Sequence, residues 1–228
     1  MRELPILMQE WGVRASLEGR KTQTRRVIKP QPERHHAHLE MRQDSERIYF
    51  ADMKYCYEAM CPYGQPGDGL WVRETWSPWA DASTQLLVAK AGEKVIYRED
   101  YLDGALPVVL GGDYHWHPSI HMPKWAARLW LEVKAVRVER VQDITPQEIE
   151  AEGLDFIEVC ERHWVQKTAN GYPYEAYAEA MEREFISLWN SINAKRGFGW
   201  DVNPWVWVIE YERIEQRGEW AAKEQSNE

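Results

Sequence analysis

Trp11-Gly12-Val13-Arg14-Ala15-Ser16-Leu17-Glu18-Gly19-Arg20-Lys21-Thr22-Gln23-Thr24-Arg25-Arg26-Val27-Ile28 is the stretch on which the reading of the fold turns. Its first half, Trp11 to Glu18, sets Val13 and Leu17 at helical spacing, and Gly19 closes the turn as the residue freest to take a left-handed backbone. Its second half, Thr24 to Ile28, alternates as an extended segment that Pro30 and Pro32 terminate. A short buried strand over Pro5 to Met8 precedes it. Downstream, Gly64, Pro66, Gly67 and Gly69 mark a turn, after which Leu70 to Trp76 predicts a strand with Leu70, Val72 and Glu74 on one face. A further strand covers about Leu129 to Val141 and runs into a helix start. There Thr145 is the N-cap, Pro146 the first helical residue and Glu148 the far half of a capping box, with Gly153 as the stop. A longer helix runs from about Tyr177 to Asn193, with Met181, Phe185, Leu188, Trp189 and Ile192 on one stripe. Within Pro204 to Ile214, the segment Trp205 to Ile209 is apolar on both faces and predicts a central strand. This order predicts an α+β domain over residues 1–214, with strands pairing non-sequentially into a small mixed β-barrel flanked by helices. Two polar stretches, about 31–65 and 77–115, read as insertions, and 215–228 as a polar tail.

The composition is that of a globular chain: of 228 residues, 44% are hydrophobic and 29% charged, enough for one large domain. No apolar run approaches the roughly 20 residues a spanning helix needs, so no membrane is expected as a partner. Met1 to Trp11 lacks the basic leader and long apolar stretch of a signal peptide. Cys56, Cys61 and Cys160 are an odd count, which argues against a disulfide framework and for a cytoplasmic location.

The net charge of -9 conceals an asymmetry. Between Arg14 and Lys29 six basic residues face one acid, Glu18, while Asp143 to Glu161 holds seven acids and no base. The acidic run reads as a solvated helix face and loop, and the basic run as a local attraction for anions. Thirteen tryptophans against four phenylalanines point to flat surfaces. Trp189, Trp205 and Trp207 fall on core positions, whereas Trp76 and Trp79, just past the Glu74 strand, read as a cleft rim on which a nucleobase stacks.

The chemistry concentrates at Lys21, Thr24 and Arg26. Like-charge neighbours and burial both lower a lysine's pKa, so Lys21 could act as a base toward the Thr24 hydroxyl. The same groups equally make a phosphate-binding turn without chemistry, which spacing alone favours. Asp113, His115, His117 and His121 have no recognisable metal-site spacing, so neither metal nor cofactor is expected, and His121 reads as a hydrogen-bonding residue of the cleft.

The pattern Gly19-x-Lys21-x-x-Thr24-x-Arg26 resembles the signature of ASCH domains, members of the PUA-like superfamily. The likeness extends to the Leu70 to Trp76 strand and to Trp205 to Tyr211. With Ser119-Ile120-His121-Met122-Pro123, the whole is similar to ASCH-like proteins of bacteriophages and prophages. The resemblance implies a PUA-like barrel with a cleft at the motif. It also implies a metal-independent amidohydrolase that removes the acyl group from a modified pyrimidine nucleoside such as N(4)-acetylcytidine, with Lys21, Thr24 and Glu74 catalytic. Lys21 would deprotonate Thr24, Arg26 or backbone N–H groups would hold the oxyanion, and Glu74 would move the proton to the leaving amine. A carboxylate beside Lys21 opposes its role as base, and for Glu74 a salt bridge to a motif arginine is the structural alternative. Arg26, Trp76 and His121 are the expected substrate contacts. The alternative function is an RNA- or single-stranded-DNA-binding module, or a ribonuclease, in which the basic stretch meets phosphates and tryptophans stack bases.

Overall fold

The computed structural model describes residues 1–32, 40–43, 48–52, 57–78, 95–101, 116–163, 165–168 and 171–214. In chain order the elements are β1 (Glu3–Leu7), α1 (Glu10–Leu17), β2 (Gln23–Val27), β3 (Glu40–Gln43), β4 (Ile48–Asp52), β5 (Tyr57–Met60), β6 (Gly69–Arg73), β7 (Trp76–Pro78), β8 (Val95–Tyr97), β9 (Trp130–Arg140), α2 (Pro146–Ala151), α3 (Phe156–Arg162), α4 (Tyr174–Asn193) and β10 (Trp205–Ile214). The α+β class is as the sequence predicts.

Five strands form the main sheet in the order β1-β6-β9-β10-β2. β1 runs parallel to β6 and the other pairs are antiparallel, so the sheet is mixed and its neighbours are non-sequential. β10 lies between β9 and β2, the interior place its two-sided apolarity predicts. The sheet is open among the described residues: β1 and β2 are its edges, and no closed barrel is found among them. The insertion at 31–65 carries a three-stranded meander, β3-β4-β5. Of the insertion at 77–115, part of the β7-β8 pair is described. Trp79, Asp113, His115 and the 215–228 tail lie outside the described residues. No helix among the described residues is long and apolar enough to cross a membrane.

Strand alternation divides the core into two layers. In β10, Trp207, Ile209 and Tyr211 point to a core shared with Ile6, Leu70, Val72 and Leu131. Val206 and Val208 point the other way, to a core built from α2, α3 and α4 through Ile149, Val159, Met181 and Trp189. A one-residue slip of β10 would exchange the two sets, so both layers hold its register.

Several element ends differ from the sequence expectation for local reasons. The strand expected over Leu70 to Trp76 ends at Arg73, and Trp76 begins β7. Thr145, Pro146 and Glu148 cap α2 as expected, each half of the capping box being present. α3 was not expected: Asp155 caps it by accepting from the Glu158 N–H, and one turn past Gly153 was too short a pattern to register. The acidic run is therefore mostly engaged. Asp143 accepts from the Arg140 N–H, Glu150 accepts from the Tyr177 hydroxyl, and Glu152 is buried.

Candidate functional site

The site begins where α1 stops. Gly19 takes a positive φ of 78°, which reverses the chain, and the Arg20 and Lys21 N–H groups both donate to the Ala15 carbonyl. Lys21 then leads, two residues on, into β2, whose residues alternate between the two core layers. Thr24 lies opposite Ile209 and Arg26 opposite Trp207, on the side of the first core. Arg25 lies opposite Val208, on the helix side.

On the helix side the charges are paired. The Arg25 side chain is 1% exposed and donates to Glu139 through Nε (3.0 Å) and to Glu152 through Nη1 (3.1 Å), with Glu148 3.2 Å from Nη2. Glu152 uses its other oxygen for Lys21, whose Nζ donates to Oε2 (2.7 Å) and to the Glu152 carbonyl (2.6 Å). Lys21 is 3% exposed and Glu152 6%. Burial holds the Lys21 amine below its ordinary pKa, helped by the Arg26 and Arg25 charges and opposed by Glu152. The Trp11 ring lies 5.2 Å from Nζ and completes its enclosure. Gly153 makes the approach possible: at φ 100°, a Cβ there would stand 2.8 Å from the Lys21 Cβ and 2.9 Å from the Ala15 Cβ.

A cleft of about 680 Å³ runs along the free side of β2. Lys21, Thr24, Arg26 and Glu152 line it from one wall, and Leu7, Met8 and Arg73 from the β1 side. Arg26 Nη2 donates to the Leu7 carbonyl (2.6 Å), so the two edges of the open sheet meet across the cleft through a side chain instead of a strand pair. Thr24 is buried, yet no hydrogen bond ties its hydroxyl to a described residue. Chemically, this is a buried amine and a hydroxyl three residues apart in the lining of one cleft.

Of the expected site residues, Lys21, Thr24 and Arg26 come together, and Glu74, Trp76 and His121 do not join them. Glu74 is buried outside the cleft lining, in a two-pronged pair with Arg128 (Nε to Oε1 2.9 Å, Nη2 to Oε2 2.9 Å). Arg128 also holds Asp100 (2.7 Å). Burial pushes the Glu74 carboxyl up from its ordinary pKa while Arg128 pulls it down. The salt-bridge alternative for Glu74 thus has Arg128 as its partner, not a motif arginine. Trp76 is no cleft rim: it is buried with Met122 and Ala126, edge-on to Trp125 at 5.8 Å. His121 is exposed on a single turn, Ser119–His121, and its neighbour Ser119 is the one that lines the cleft.

Glu152 is the cleft carboxylate that the sequence reading missed. Ile149, Glu152 and Gly153 stand at i, i+3 and i+4, so a buried Ile149 carries Glu152 to the same inward face. Reading the run as solvated overlooked that spacing. No family model, curated protein or solved structure matches the chain, so the functional assignment rests on this geometry.

Proposed function

We propose that the chain is an ASCH-like amidohydrolase that uses Lys21 and Thr24 to remove an acyl group from a modified pyrimidine nucleoside of the N(4)-acetylcytidine kind. The observation that carries this reading is the buried Lys21 amine, held below its ordinary pKa, in the same cleft as the buried residue Thr24, whose hydroxyl has no hydrogen bond to a described residue. Neutral Lys21 takes the Thr24 proton as Oγ1 attacks the amide carbonyl. The ammonium so formed stands by the oxyanion, then returns its proton to the departing amine as the C–N bond breaks. Water, deprotonated in turn by Lys21, hydrolyses the threonyl ester and releases the carboxylic acid. Glu152 holds the lysine in place by accepting from its amine, and the proton transfer first expected of Glu74 falls to Lys21. The open five-stranded sheet, with its two edges joined at the cleft, is compatible with a PUA-like barrel left unsealed on the substrate side. Cys61 and Cys160 are free thiols, which suits the reducing cytoplasm.

The test is release of cytidine from N(4)-acetylcytidine, followed by chromatography, for wild type, Lys21→Met and Thr24→Val. Turnover in wild type alone, with an acetyl group trapped on the Thr24 peptide, is the expected result. No release by wild type defeats the substrate assignment, and turnover by Thr24→Val defeats the nucleophile. A second reading, a nucleic-acid-binding module, is favoured by one observation: Arg26, Lys29, Arg73 and Arg196 line the cleft with Trp11, Tyr63 and Phe198 among them.

A further inference from the structure

The cationic wall of the cleft has a specific centre. Glu152 is the sole acid among the described residues lining the cleft, and both its oxygens are taken by Lys21 and Arg25. Arg26 and Arg73 also line the cleft, and no carboxylate among the described residues pairs with either. Both belong to the β1 end of the cleft, and the Arg73 guanidinium also lies 5.4 Å from the Trp71 ring. Arg73 stands in register with Leu7 across the parallel β1-β6 pair, the Met8 N–H donates to the Arg73 carbonyl (3.2 Å), and Arg26 donates to the Leu7 carbonyl. In each guanidinium the Nε is buried and meets no acceptor among the described residues. A buried donor of this kind is destabilising unless an acceptor reaches it, and two guanidinium groups in one cleft, each with such a donor, suit the oxygens of a phosphate. Hydroxyl donors stand in the same lining: Tyr63, whose phenol feels the Arg26 charge, and Ser119.

We propose that Arg26 and Arg73 are a phosphate clamp at the β1 end of the cleft, so that the ligand is a phosphorylated nucleoside or a phosphodiester of a single strand, not a free nucleoside. The nucleoside half of this statement rests on the proposed function; the clamp does not. A dianionic monoester suits two guanidinium groups in a site where all other acid is already neutralised. The clamp also orients a ligand, since Lys21 and Thr24 lie on the β2 wall and Arg73 on the β1 wall.

Binding of inorganic phosphate, ribose 5-phosphate, CMP, cytidine, acetate and a short single-stranded oligonucleotide is measured by calorimetry and phosphorus NMR, for wild type, Arg73→Gln and Arg73→Lys. CMP should bind wild type about 10- to 100-fold more tightly than cytidine, and the advantage should weaken with salt. Arg73→Gln should erase the advantage while leaving cytidine affinity unchanged, and Arg73→Lys should restore part of it. Whether CMP or the oligonucleotide binds more tightly tells monoester from diester. If nucleoside binding and hydrolysis both fail but phosphate and ribose 5-phosphate still bind through Arg73, the clamp stands and the amidohydrolase falls. Equal affinity for CMP and cytidine, equal binding of acetate and phosphate, or no phosphate bound by a folded wild type overturns the clamp.

Discussion

Replacing Glu152 by Leu tests the network that places Lys21. Arg25 would keep Glu139 and Glu148, but Lys21 would retain just the residue-152 carbonyl at 2.6 Å, its side chain 3% exposed. Removing one partner of a buried ion pair costs about 3–5 kcal/mol when the other must remain charged. The lysine has an escape, because it can give up its proton. Glu152 supplies the interactions that raise the Lys21 pKa, so the substitution lowers it further below 10.5. The sign follows from proton counting: between the folded and unfolded values the unfolded chain binds more protons, so stability rises with pH across that window. The Glu152→Leu penalty is then full below the folded Lys21 pKa and shrinks as pH climbs toward 10.5. The double variant Lys21→Met, Glu152→Leu removes both charges and should recover most of the loss, giving a coupling of at least about 2 kcal/mol. Urea unfolding at several pH values, with unchanged m, measures all three species. A Glu152→Leu cost under about 1 kcal/mol, a cost independent of pH, or additive single effects would refute the buried-pair account.

Gly153→Ala places a Cβ 2.8 Å from the Lys21 Cβ at φ 100°, so it should cost about 3 kcal/mol and reduce turnover, read from urea midpoints and cytidine release. Glu74→Gln weakens the pair with Arg128 and should cost about 1–3 kcal/mol while the rate per folded molecule stays near wild type. Lost activity at unchanged stability would instead return Glu74 to the chemistry. Thr145→Ala removes the oxygen that accepts the Glu148 N–H and should cost about 1 kcal/mol by the same unfolding assay, with phosphate affinity unchanged.

What could be read in the sequence was whatever local rules decide. The Gly19 stop, the capping box of α2 and the two-sided apolar strand β10 are each set by residues within one or two turns. Glu152 was misread because its partner Lys21 is 131 residues away, and an acid among acids looks solvated until the facing strand is known. Glu74 was assigned to the Lys21 site by the ASCH resemblance on the strength of a strand running to Trp76, and that strand ends at Arg73. Trp76 followed the same error: just beyond the end of β6 it starts β7 and turns into a cluster of its own. Closure of the sheet was equally out of reach, since it depends on whether β1 and β2 pair across a gap that a single arginine bridges.

The charge asymmetry changes meaning once strand parity is applied to it. As a linear run, Arg14 to Lys29 looks like one basic patch opposed by a distant acidic one. On β2, consecutive residues face opposite layers, so Arg25 goes to the helix side, where Glu139, Glu148 and Glu152 await it. Arg26 goes to the other side, where the described cleft offers it a carbonyl and no carboxylate. Glu148 and Glu152 of the acidic run are thus spent on one of the two arginines and on Lys21, and the second arginine keeps its charge for the cleft. A chain with a net charge of -9 can therefore hold an anion site, because the one acid among the described lining residues, Glu152, is committed by geometry before a ligand arrives. Exchanging the two positions' environments takes no more than a one-residue slip of β2, and the buried Thr24 and Arg25 on its two faces oppose that slip.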